Sequence, residues 1–429
     1  MANSVSSIRN VGISDITVYI PTPKVELQAL LKHRVSNDPK IERRFSRALD
    51  TTGQVSMRYP EPWQDNAALA TQAAYELLQR TDPEKLKGLR YLTVGTETGV
   101  DHSKPVAAYV EGALQRAGLA VPTSLSTFQV QHACAGGTYA MLSIGALLQI
   151  AHRPGESGIV ICSDIARYDV PSTAEFTQGA GAVAMLIEPN PRLLELDVAT
   201  QGYSSKDVDD FFRPLDSLTA KVKGGYSVLC YHEALDAAFR DHCERLEKSP
   251  REVLESTDMF VFHVPFYKMA FLAAHTLLEA HLDRSPDEVE EFLKARGFHD
   301  SVEAAAQVGN IYSGAAYMTL AFHLAGNYAR LGKDIVGQRV LICSYGSGNT
   351  MSVYSATVAE RAPEVLESWD LPSVLSSADD RGLAPYEAWI SGYPNRESYN
   401  AMVESAEIPT GCFYLKNIRD DGYREYEIR

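Results

Sequence analysis

The stretch Thr127–Ala151, TFQVQHACAGGTYAMLSIGALLQIA, decides the fold of this chain. Its alternating start predicts a short strand, and its apolar continuation, rich in Ala, Leu and Ile, predicts a long helix. Cys134 lies between the two, just before Gly136 and Gly137. Because backbone N–H groups are unpaired at a helix start and the helix dipole favours an anion there, this position suits a nucleophilic thiolate. A buried structural cysteine is the alternative that the stretch leaves open.

Composition and charge restrict the classes of function. The chain has 429 residues, of which 45% are hydrophobic and 22% charged, as is typical of a globular protein with a large core. A net charge of −15 argues against binding to nucleic acid or to an anionic membrane, so an anionic substrate would need a local basic patch. No segment is apolar over the roughly 20 residues that span a bilayer, and the N-terminal sequence lacks a signal-peptide core. We therefore expect a cytoplasmic protein.

The cysteines are scattered, and none forms a CxxC pair. In a long chain without a secretion signal this pattern favours free thiols, and the spacing excludes the common zinc patterns. No dinucleotide-binding fingerprint is present either, so we predict neither a metal nor a cofactor. The six cysteines are Cys134, Cys162, Cys230, Cys243, Cys343 and Cys412.

The second half of the chain repeats the order of the first. In the first half an apolar strand precedes Glu97, and a second strand precedes Cys134 and its helix. In the second half the strand predicted at Met259–Phe262 precedes His263, and Asn310 opens a helix of small and apolar residues. Glu97 thus corresponds to His263, and Cys134 corresponds to Asn310. This correspondence predicts a duplication of one α/β unit.

The repeat also predicts the domain organisation. Strands that alternate with helices favour mixed, mainly parallel sheets covered by helices on both faces. We expect one half at residues 1–195 and the other at 196–429, in a single compact two-lobed unit. The polar and aromatic insertion at about 202–226 is predicted to form a lid. The mixed segment at about 362–399 is predicted to be a surface extension rather than a domain.

Polar residues just beyond strand ends of such sheets gather in a shared crevice. Taken singly, Glu97, Cys134, His263 and Asn310 have plain structural interpretations as a loop carboxylate, a core thiol, a hydrogen-bonded ring and a helix cap. Their matched positions in both halves instead favour an active site. A cysteine with a carboxylate and a histidine, and no metal motif, suits acyl transfer through a thioester. A carboxylate near an acyl-cysteine can also remove an α-proton, so carbon–carbon bond formation is plausible.

Seven ordered motifs, which span nearly all of the chain, resemble those of the 3-hydroxy-3-methylglutaryl-CoA synthase family of thiolase-like condensing enzymes. The resemblance implies a five-layered αβαβα fold, a homodimer, and chemistry on acetyl-CoA and acetoacetyl-CoA in the mevalonate pathway. It implies CoA thioesters as substrates rather than as cofactors. The motifs are GTETGVDHSKP (95–105), HACAGGT (132–138), CSDIARYD (162–169), TQGAGAVAMLI (177–187), FHVPFYKMA (262–270), GNIYSG (309–314) and SYGSG (344–348).

The resemblance also implies a role for each matched residue. Cys134 takes the acetyl group, and Glu97 then removes a methyl proton from the acetyl-enzyme. His263 and Asn310 hold and polarise the ketone of acetoacetyl-CoA. Cys134 and Ser347 supply N–H groups of an oxyanion hole, and water releases the product from Cys134.

Five further residues match supporting positions of the family. Asp164 and Asp210 correspond to acidic residues that support the site. Thr177 and Tyr345 correspond to residues that line it. Lys268 corresponds to a basic residue near the CoA phosphates, which would supply local positive charge to an acidic chain.

Two positions depart from the family pattern. The residue after the nucleophile is usually Tyr but is Ala135 here, a change expected to widen the acyl pocket or to remove a hydroxyl contact. Phe271 lies where relatives often carry a basic residue, so the contact with CoA is expected to be weaker or differently placed. Neither change removes a reacting group.

Three alternative functions have different consequences. A homologue that performs β-branching on polyketides bound to an acyl carrier protein tends to replace the Lys of HVPFYKM, and Lys268 is retained here. A ketoacyl synthase or thiolase lacks a Glu base at this place, so Glu97 argues against both. An inactive scaffold is disfavoured because all four matched polar residues are present.

Overall fold

The computed structural model describes residues 10–150 and 153–429, so Ala151, the last residue of the opening stretch, lies outside it. The described chain is a mixed α/β structure. Its strands are β1 (Val11–Tyr19), β2 (Pro23–Glu26), β3 (Ser56–Arg58), β4 (Leu89–Gly95), β5 (Ser126–Val130), β6 (Ser157–Ile165), β7 (Ala180–Pro189), β8 (Leu194–Leu196), β9 (Gly202–Ser205), β10 (Phe211–Phe212), β11 (Lys221–Val222), β12 (Met259–Phe262), β13 (Arg339–Gly346), β14 (Thr350–Val358), β15 (Asp379–Asp380), β16 (Phe413–Ile418) and β17 (Arg424–Ile428).

The α-helices of the same residues are α1 (Leu27–Asn37), α2 (Glu42–Thr52), α3 (Asn66–Gln79), α4 (Pro83–Leu86), α5 (Val106–Arg116), α6 (Gly136–Gln149), α7 (Gly224–Arg245), α8 (Pro250–Glu255), α9 (Tyr267–Leu282), α10 (Pro286–Ala295), α11 (Phe298–Val308), α12 (Ser313–Leu331), α13 (Ala362–Leu366), α14 (Leu371–Ser376), α15 (Leu383–Ser391) and α16 (Arg396–Ser405). None of these helices is both long enough and apolar enough to cross a membrane.

The main sheet carries the mark of the duplication. Its strand order is β12-β13-β14-β8-β1-β7-β6-β4-β5, and β9 also pairs with β14. In the first half, β4 runs parallel to β6, and β6 runs antiparallel to β7. In the second half, β12 runs parallel to β13, and β13 runs antiparallel to β14. The triplet β4-β6-β7 is therefore repeated in direction and order by β12-β13-β14.

Helices cover the sheet in layers. Alternate residues of a strand face opposite sides, so β6 presents Val160 and Cys162 to one core and Ile159 and Ile161 to another. Helices α3 and α5 cover the outer face of the first half, and α7 and α9 pack against the second. Helices α6 and α12 contact each other and the strands of both halves. Both helices that follow the matched residues Cys134 and Asn310 thus begin in the middle of the molecule.

Glycines allow β4 to approach the start of α6 closely. A Cβ atom on Gly95 would lie 2.2 Å from the backbone N of Gly137, and one on Gly137 would lie 2.2 Å from the Sγ of Cys162. No real Cβ contact is that short, so side chains are excluded at both positions. The loop after β4, which holds Glu97, is consequently brought beside the turn that holds Cys134.

The C-terminal segment extends deeper than the sequence predicts. Rather than lying on the surface throughout, residues 362–399 include Tyr386, which is fully buried. The Tyr386 hydroxyl donates to Glu175 at 2.9 Å, and the Arg34 guanidinium donates to the same buried carboxylate at 2.6 Å. Glu175 belongs to the 3-10 helix Thr173–Thr177. The segment therefore helps to fix the short helix that ends at Thr177.

The close approach of β4 and α6 yields a stability prediction. Gly95→Ala should lower the free energy of unfolding by about 1–3 kcal/mol, since its methyl group must displace backbone atoms. Gly326→Ala, in the interior of α12 with nothing within 4 Å of the added carbon, should raise it by about 0.5–1 kcal/mol. Urea unfolding of both variants measures these effects. Equal stability of the two variants would contradict the close approach.

Candidate active site

The loop that follows β4 is fixed by one buried carboxylate. The Oδ1 atom of Asp164 accepts hydrogen bonds from the Thr96 hydroxyl (2.7 Å), the Thr98 hydroxyl (2.6 Å), and the backbone N–H groups of Glu97 (3.0 Å) and Thr98 (3.1 Å). Asp164 itself is fully buried on β6. Burial, together with the charge of Glu97, raises the pKa of Asp164 to about 8. Asp164 thus holds the backbone of Glu97 in place.

Glu97 projects from this loop into a buried ion pair. Its side chain is 6% exposed, and its Oε1 accepts a hydrogen bond of 2.7 Å from the Arg213 guanidinium. The same guanidinium nitrogen donates to the Tyr312 hydroxyl at 3.0 Å. Burial raises the pKa of Glu97, and Arg213 opposes that rise. The second oxygen, Oε2, is buried and has no hydrogen-bond partner within the described chain.

Cys134 occupies the turn before α6, as predicted. The preceding residue, Ala133, has a φ of 41°, in the left-handed region that non-glycine residues rarely adopt. Cys134 is only 6% exposed and packs in a small cluster with Tyr168 and Tyr312.

The electrostatic environment of Cys134 differs from the sequence-based expectation. Burial raises the pKa of the thiol well above its ordinary value, and the charges of Glu97, Asp164 and Asp210 raise it further. Arg213 opposes them. The predicted helix-start stabilisation of a thiolate is therefore outweighed, and the resting residue is a thiol at neutral pH.

The second half contributes two polar side chains from matched positions. His263 directly follows β12, is 3% exposed, and has an Nδ1 atom with no hydrogen-bond partner in the described residues. Burial lowers the pKa of His263 to about 3, so the ring is neutral at physiological pH. The Oδ1 atom of Asn310 accepts from the N–H of Tyr312 at 2.8 Å, and the N–H of Asn310 donates to the Thr177 carbonyl at 3.0 Å. These bonds fix the turn before α12.

Residues from both halves of the chain line one cavity of about 480 Å³. Glu97 does not line the cavity. The Arg213 guanidinium, however, donates hydrogen bonds both to Glu97 and to Tyr312, and Tyr312 does line it. Helix α2 adds the basic side chains of Arg44 and Arg47 to the wall. The candidate site residues that line the cavity are Cys134, Thr177, His263, Asn310, Tyr345 and Ser347.

Asp210 connects the insertion to the glycine-rich turn after β13. Its Oδ1 accepts from the N–H of Gly348 at 2.8 Å, and its Oδ2 accepts from the hydroxyls of Tyr345 (3.0 Å) and Ser227 (2.9 Å). Ser347 lies within the turn that these bonds anchor. Asp210 and Asp164 are both fully buried, and each fixes a loop beside the cavity rather than lining it.

The remaining singled-out residues, Lys268, Ala135 and Phe271, do not line the cavity. Lys268 donates from Nζ to the Asp50 carbonyl at 2.7 Å, near the end of α2. Ala135 is fully buried against Gly346 and is not among the lining residues. Phe271 packs in the core, with its ring centroid 5.5 Å from that of Phe298.

Several residues of the site carried no predicted role. Arg44 and Arg47 are three positions apart in the segment ERRFSRAL, a helical spacing that would have indicated a basic face in an acidic chain. Tyr168 and Tyr312 lie inside quoted motifs. Arg213 follows Asp210 closely, yet nothing in the sequence indicates that its partner is more than a hundred residues earlier.

Within the described residues, no cluster of His, Cys, Asp and Glu side chains is arranged to hold a metal ion. The six cysteines are free, and all but Cys412 are buried.

Comparison with known proteins identifies the family. The family description "Hydroxymethylglutaryl-coenzyme A synthase N terminal" matches residues 7–192, and its C-terminal counterpart matches residues 194–296 and 288–429. The chain belongs to the hydroxymethylglutaryl-CoA synthase family. It is an enzyme of this type, with the thiolase-like fold that the sequence predicts. In this chain the fold consists of a mixed main sheet in which one triplet of strands is repeated.

Individual relatives cover nearly the whole chain. Hydroxymethylglutaryl-CoA synthase A of Dictyostelium discoideum is 29% identical over 97% of this chain and 90% of its own length. The solved structure of MvaS in complex with 3-hydroxy-3-methylglutaryl coenzyme A is 33% identical, covers 98% of this chain and 99% of its own, and has a TM-score of 0.83. The curacin-pathway HMG synthase in complex with apo donor-ACP is 24% identical over 98% and 100% of the two chains with a TM-score of 0.83, which establishes the shared fold.

The raised pKa of Cys134 predicts slow alkylation at neutral pH. In a Cys412→Ser background, iodoacetamide should modify the resting protein more slowly at pH 7 than it modifies free cysteine. The rate should rise with pH beyond pH 9, since the thiolate is the reactive form. Intact mass spectrometry follows the adduct, and Cys134→Ser identifies the residue. Rapid, pH-independent alkylation below pH 7 would contradict a raised pKa.

Proposed function

We propose that this chain condenses acetyl-CoA with acetoacetyl-CoA and hydrolyses the adduct to 3-hydroxy-3-methylglutaryl-CoA and CoA. The observation that carries the proposal is the meeting of Cys134, His263 and Asn310 at one cavity, with Glu97 behind its wall. Family membership supports the reaction class. The relative in complex with 3-hydroxy-3-methylglutaryl coenzyme A supports the product.

The first step is transfer of the acetyl group. The Cys134 sulfur attacks the acetyl-CoA carbonyl, a new carbon–sulfur bond forms, and CoA leaves with the thiol proton. Because burial and nearby carboxylates hold Cys134 as a thiol, its proton must depart as the bond forms.

The second step forms the carbon–carbon bond. Glu97 removes a methyl proton from the acetyl-Cys134 thioester, and the resulting enolate carbon attacks the ketone of acetoacetyl-CoA. Its buried Oε2 suits this role because, within the described residues, this oxygen has no hydrogen-bond partner. A raised pKa also makes the carboxylate a stronger base than an exposed glutamate.

The ketone oxygen gains negative charge in this step and must be neutralised. A neutral His263 can donate a ring N–H hydrogen bond to that oxygen, and the Asn310 amide adds a second donor. The alkoxide then takes up one proton, which balances the proton that Glu97 removed from the methyl group. Backbone N–H groups of Cys134 and Ser347 would stabilise the thioester oxygen of the acetyl-enzyme. Water then attacks the Cys134 thioester, which releases the product as a carboxylate and restores the thiol.

The cavity wall suits the anionic part of CoA. Arg44 and Arg47 lie on one face of α2, and Lys268 lies beside the end of that helix. In a chain with a net charge of −15, this is the local basic patch that a phosphorylated substrate needs. We assign the three side chains to the CoA phosphates.

We also propose a homodimer that acts in the cytoplasm in the mevalonate pathway. Within the described residues β5 is hydrogen-bonded on one side only, to β4, so its other edge is open to a second copy of the chain. Light scattering should give twice the chain mass of 47.2 kDa. A stable monomer would contradict this part of the proposal.

Trapping the intermediate tests the assigned roles. Incubation with acetyl-CoA should add one acetyl group to the protein, and Cys134→Ala should abolish the adduct. Glu97→Ala should still be acetylated but should lose condensation by about 100-fold or more, the usual scale for removal of a general base. His263→Ala should chiefly impair the use of acetoacetyl-CoA. Failure of Glu97→Ala to accept acetyl would contradict its role as the condensation base.

A comparison of acceptors separates the polyketide alternative. Acetoacetyl-CoA and an acetoacetyl acyl carrier protein are offered to the same acetyl-enzyme, and turnover is measured for each. We expect a preference for the CoA thioester, because three basic side chains lie at or beside the cavity. A strong preference for the carrier protein would replace the mevalonate-pathway assignment.

A further inference from the structure

We propose that Arg213 is a positioning residue for Glu97: it keeps this buried carboxylate ionised, and by bonding to one carboxylate oxygen it leaves the other free to act as the base. The inference rests on the proposed function, in which Glu97 is the condensation base. Arg213 belongs to the insertion at about 202–226 and has no role in the reaction steps proposed above.

The geometry of the pair supports a positioning role. Arg213 donates to only one oxygen of Glu97, Oε1, at 2.7 Å, and Oε2 has no hydrogen-bond partner in the part of the chain that the structure describes. The same nitrogen reaches the Tyr312 hydroxyl at 3.0 Å, and the other terminal nitrogen donates to the Leu218 carbonyl at 2.8 Å. The guanidinium is thereby held at three points. Its orientation determines which carboxylate oxygen remains available as the base.

Electrostatics give the pair a second task. A buried carboxylate without a countercharge takes up a proton rather than remaining ionised. Glu97 is 6% exposed and Arg213 is 15% exposed, so little water screens their attraction. Within the described residues Arg213 is the cation that bonds to Glu97. The other titratable groups that act on Glu97 or respond to its charge are Asp164, Cys134, Tyr168 and Tyr312.

The insertion that bears Arg213 is itself fastened beside the site. Strands β10 and β11 form a hairpin, and its second strand is held by Asp169, which accepts from Lys221 and Thr219 at 2.7 and 2.6 Å. The N–H of Ala220 also donates to the Arg167 carbonyl at 3.0 Å. Ionisation of Glu97 therefore depends on the position of this hairpin. The hairpin belongs to the segment that the sequence predicts as a lid.

The test uses single turnovers of the full chain. Each variant is first acetylated by acetyl-CoA, acetoacetyl-CoA is then added, and quenched samples report the loss of the acetyl adduct by intact mass from pH 5 to 9. The variants are Arg213→Gln, which keeps a donor but removes the charge, and Arg213→Lys, which keeps the charge. Lys206→Gln is the matched control, because it removes an exposed cation of the same insertion that pairs with Glu233.

We expect Arg213→Gln to accept acetyl on Cys134 and to lose condensation by about tenfold or more at pH 6. The acidic limb of its pH profile should move upward by about one unit, since one unit of pKa changes the ionised fraction about tenfold below the pKa. Arg213→Lys should move the limb by less than half that amount, and Lys206→Gln should leave it unchanged.

Two outcomes would overturn the inference. One is an Arg213→Gln profile whose acidic limb coincides with that of the parent protein, even if its rate is lower at every pH. The other is an equal shift in Lys206→Gln, which would indicate a general surface-charge effect. The Glu97→Ala variant separates these results from failure of the proposed function. If Glu97→Ala condenses at the parent rate, the base assignment itself is wrong, whereas its loss together with an unshifted Arg213→Gln profile rejects Arg213 alone.

Discussion

The buried ion pair between Glu97 and Arg213 is the interaction on which the rest of the site depends. It joins the loop after β4, in the first half of the chain, to the hairpin inserted in the second half. Removing one partner of such a pair leaves an uncompensated buried charge, at a cost of about 3–5 kcal/mol. Asp164 fixes the backbone on one side, and Arg213 fixes the carboxylate on the other. Together they hold a carboxylate where water is largely excluded.

Burial also shifts the pKa values of the three titratable side chains that the duplication brings together. Cys134 is held as a thiol and His263 as a neutral ring, while burial raises the pKa of Glu97 and Arg213 opposes that rise. In such a medium electrostatic interactions are stronger than in water, so a small movement of charge has a large effect on the barrier. The site therefore suits a reaction in which negative charge moves from a carboxylate to a carbon and then to an oxygen.

The sequence predicts those features of the site that occur at matched positions in the two halves of the chain. Strand β12 ends at Phe262 as predicted, and Cys134, His263 and Asn310 line one cavity because equivalent positions of a repeated unit meet at its centre. The protonation state of Cys134 could not be predicted from the sequence, because a helix-start pattern carries no information on the carboxylates that folding brings near the thiol. The pairing of Arg213 with Glu97 could not be predicted for the same reason, since only the folded hairpin brings these two residues together.

The most direct test of the account is a product assay on the unmodified protein. Purified chain is mixed with acetyl-CoA and acetoacetyl-CoA, and the products are identified by mass spectrometry. We expect 3-hydroxy-3-methylglutaryl-CoA and free CoA in equal amounts. Release of acetate and CoA from acetyl-CoA, with acetoacetyl-CoA left intact, would contradict it.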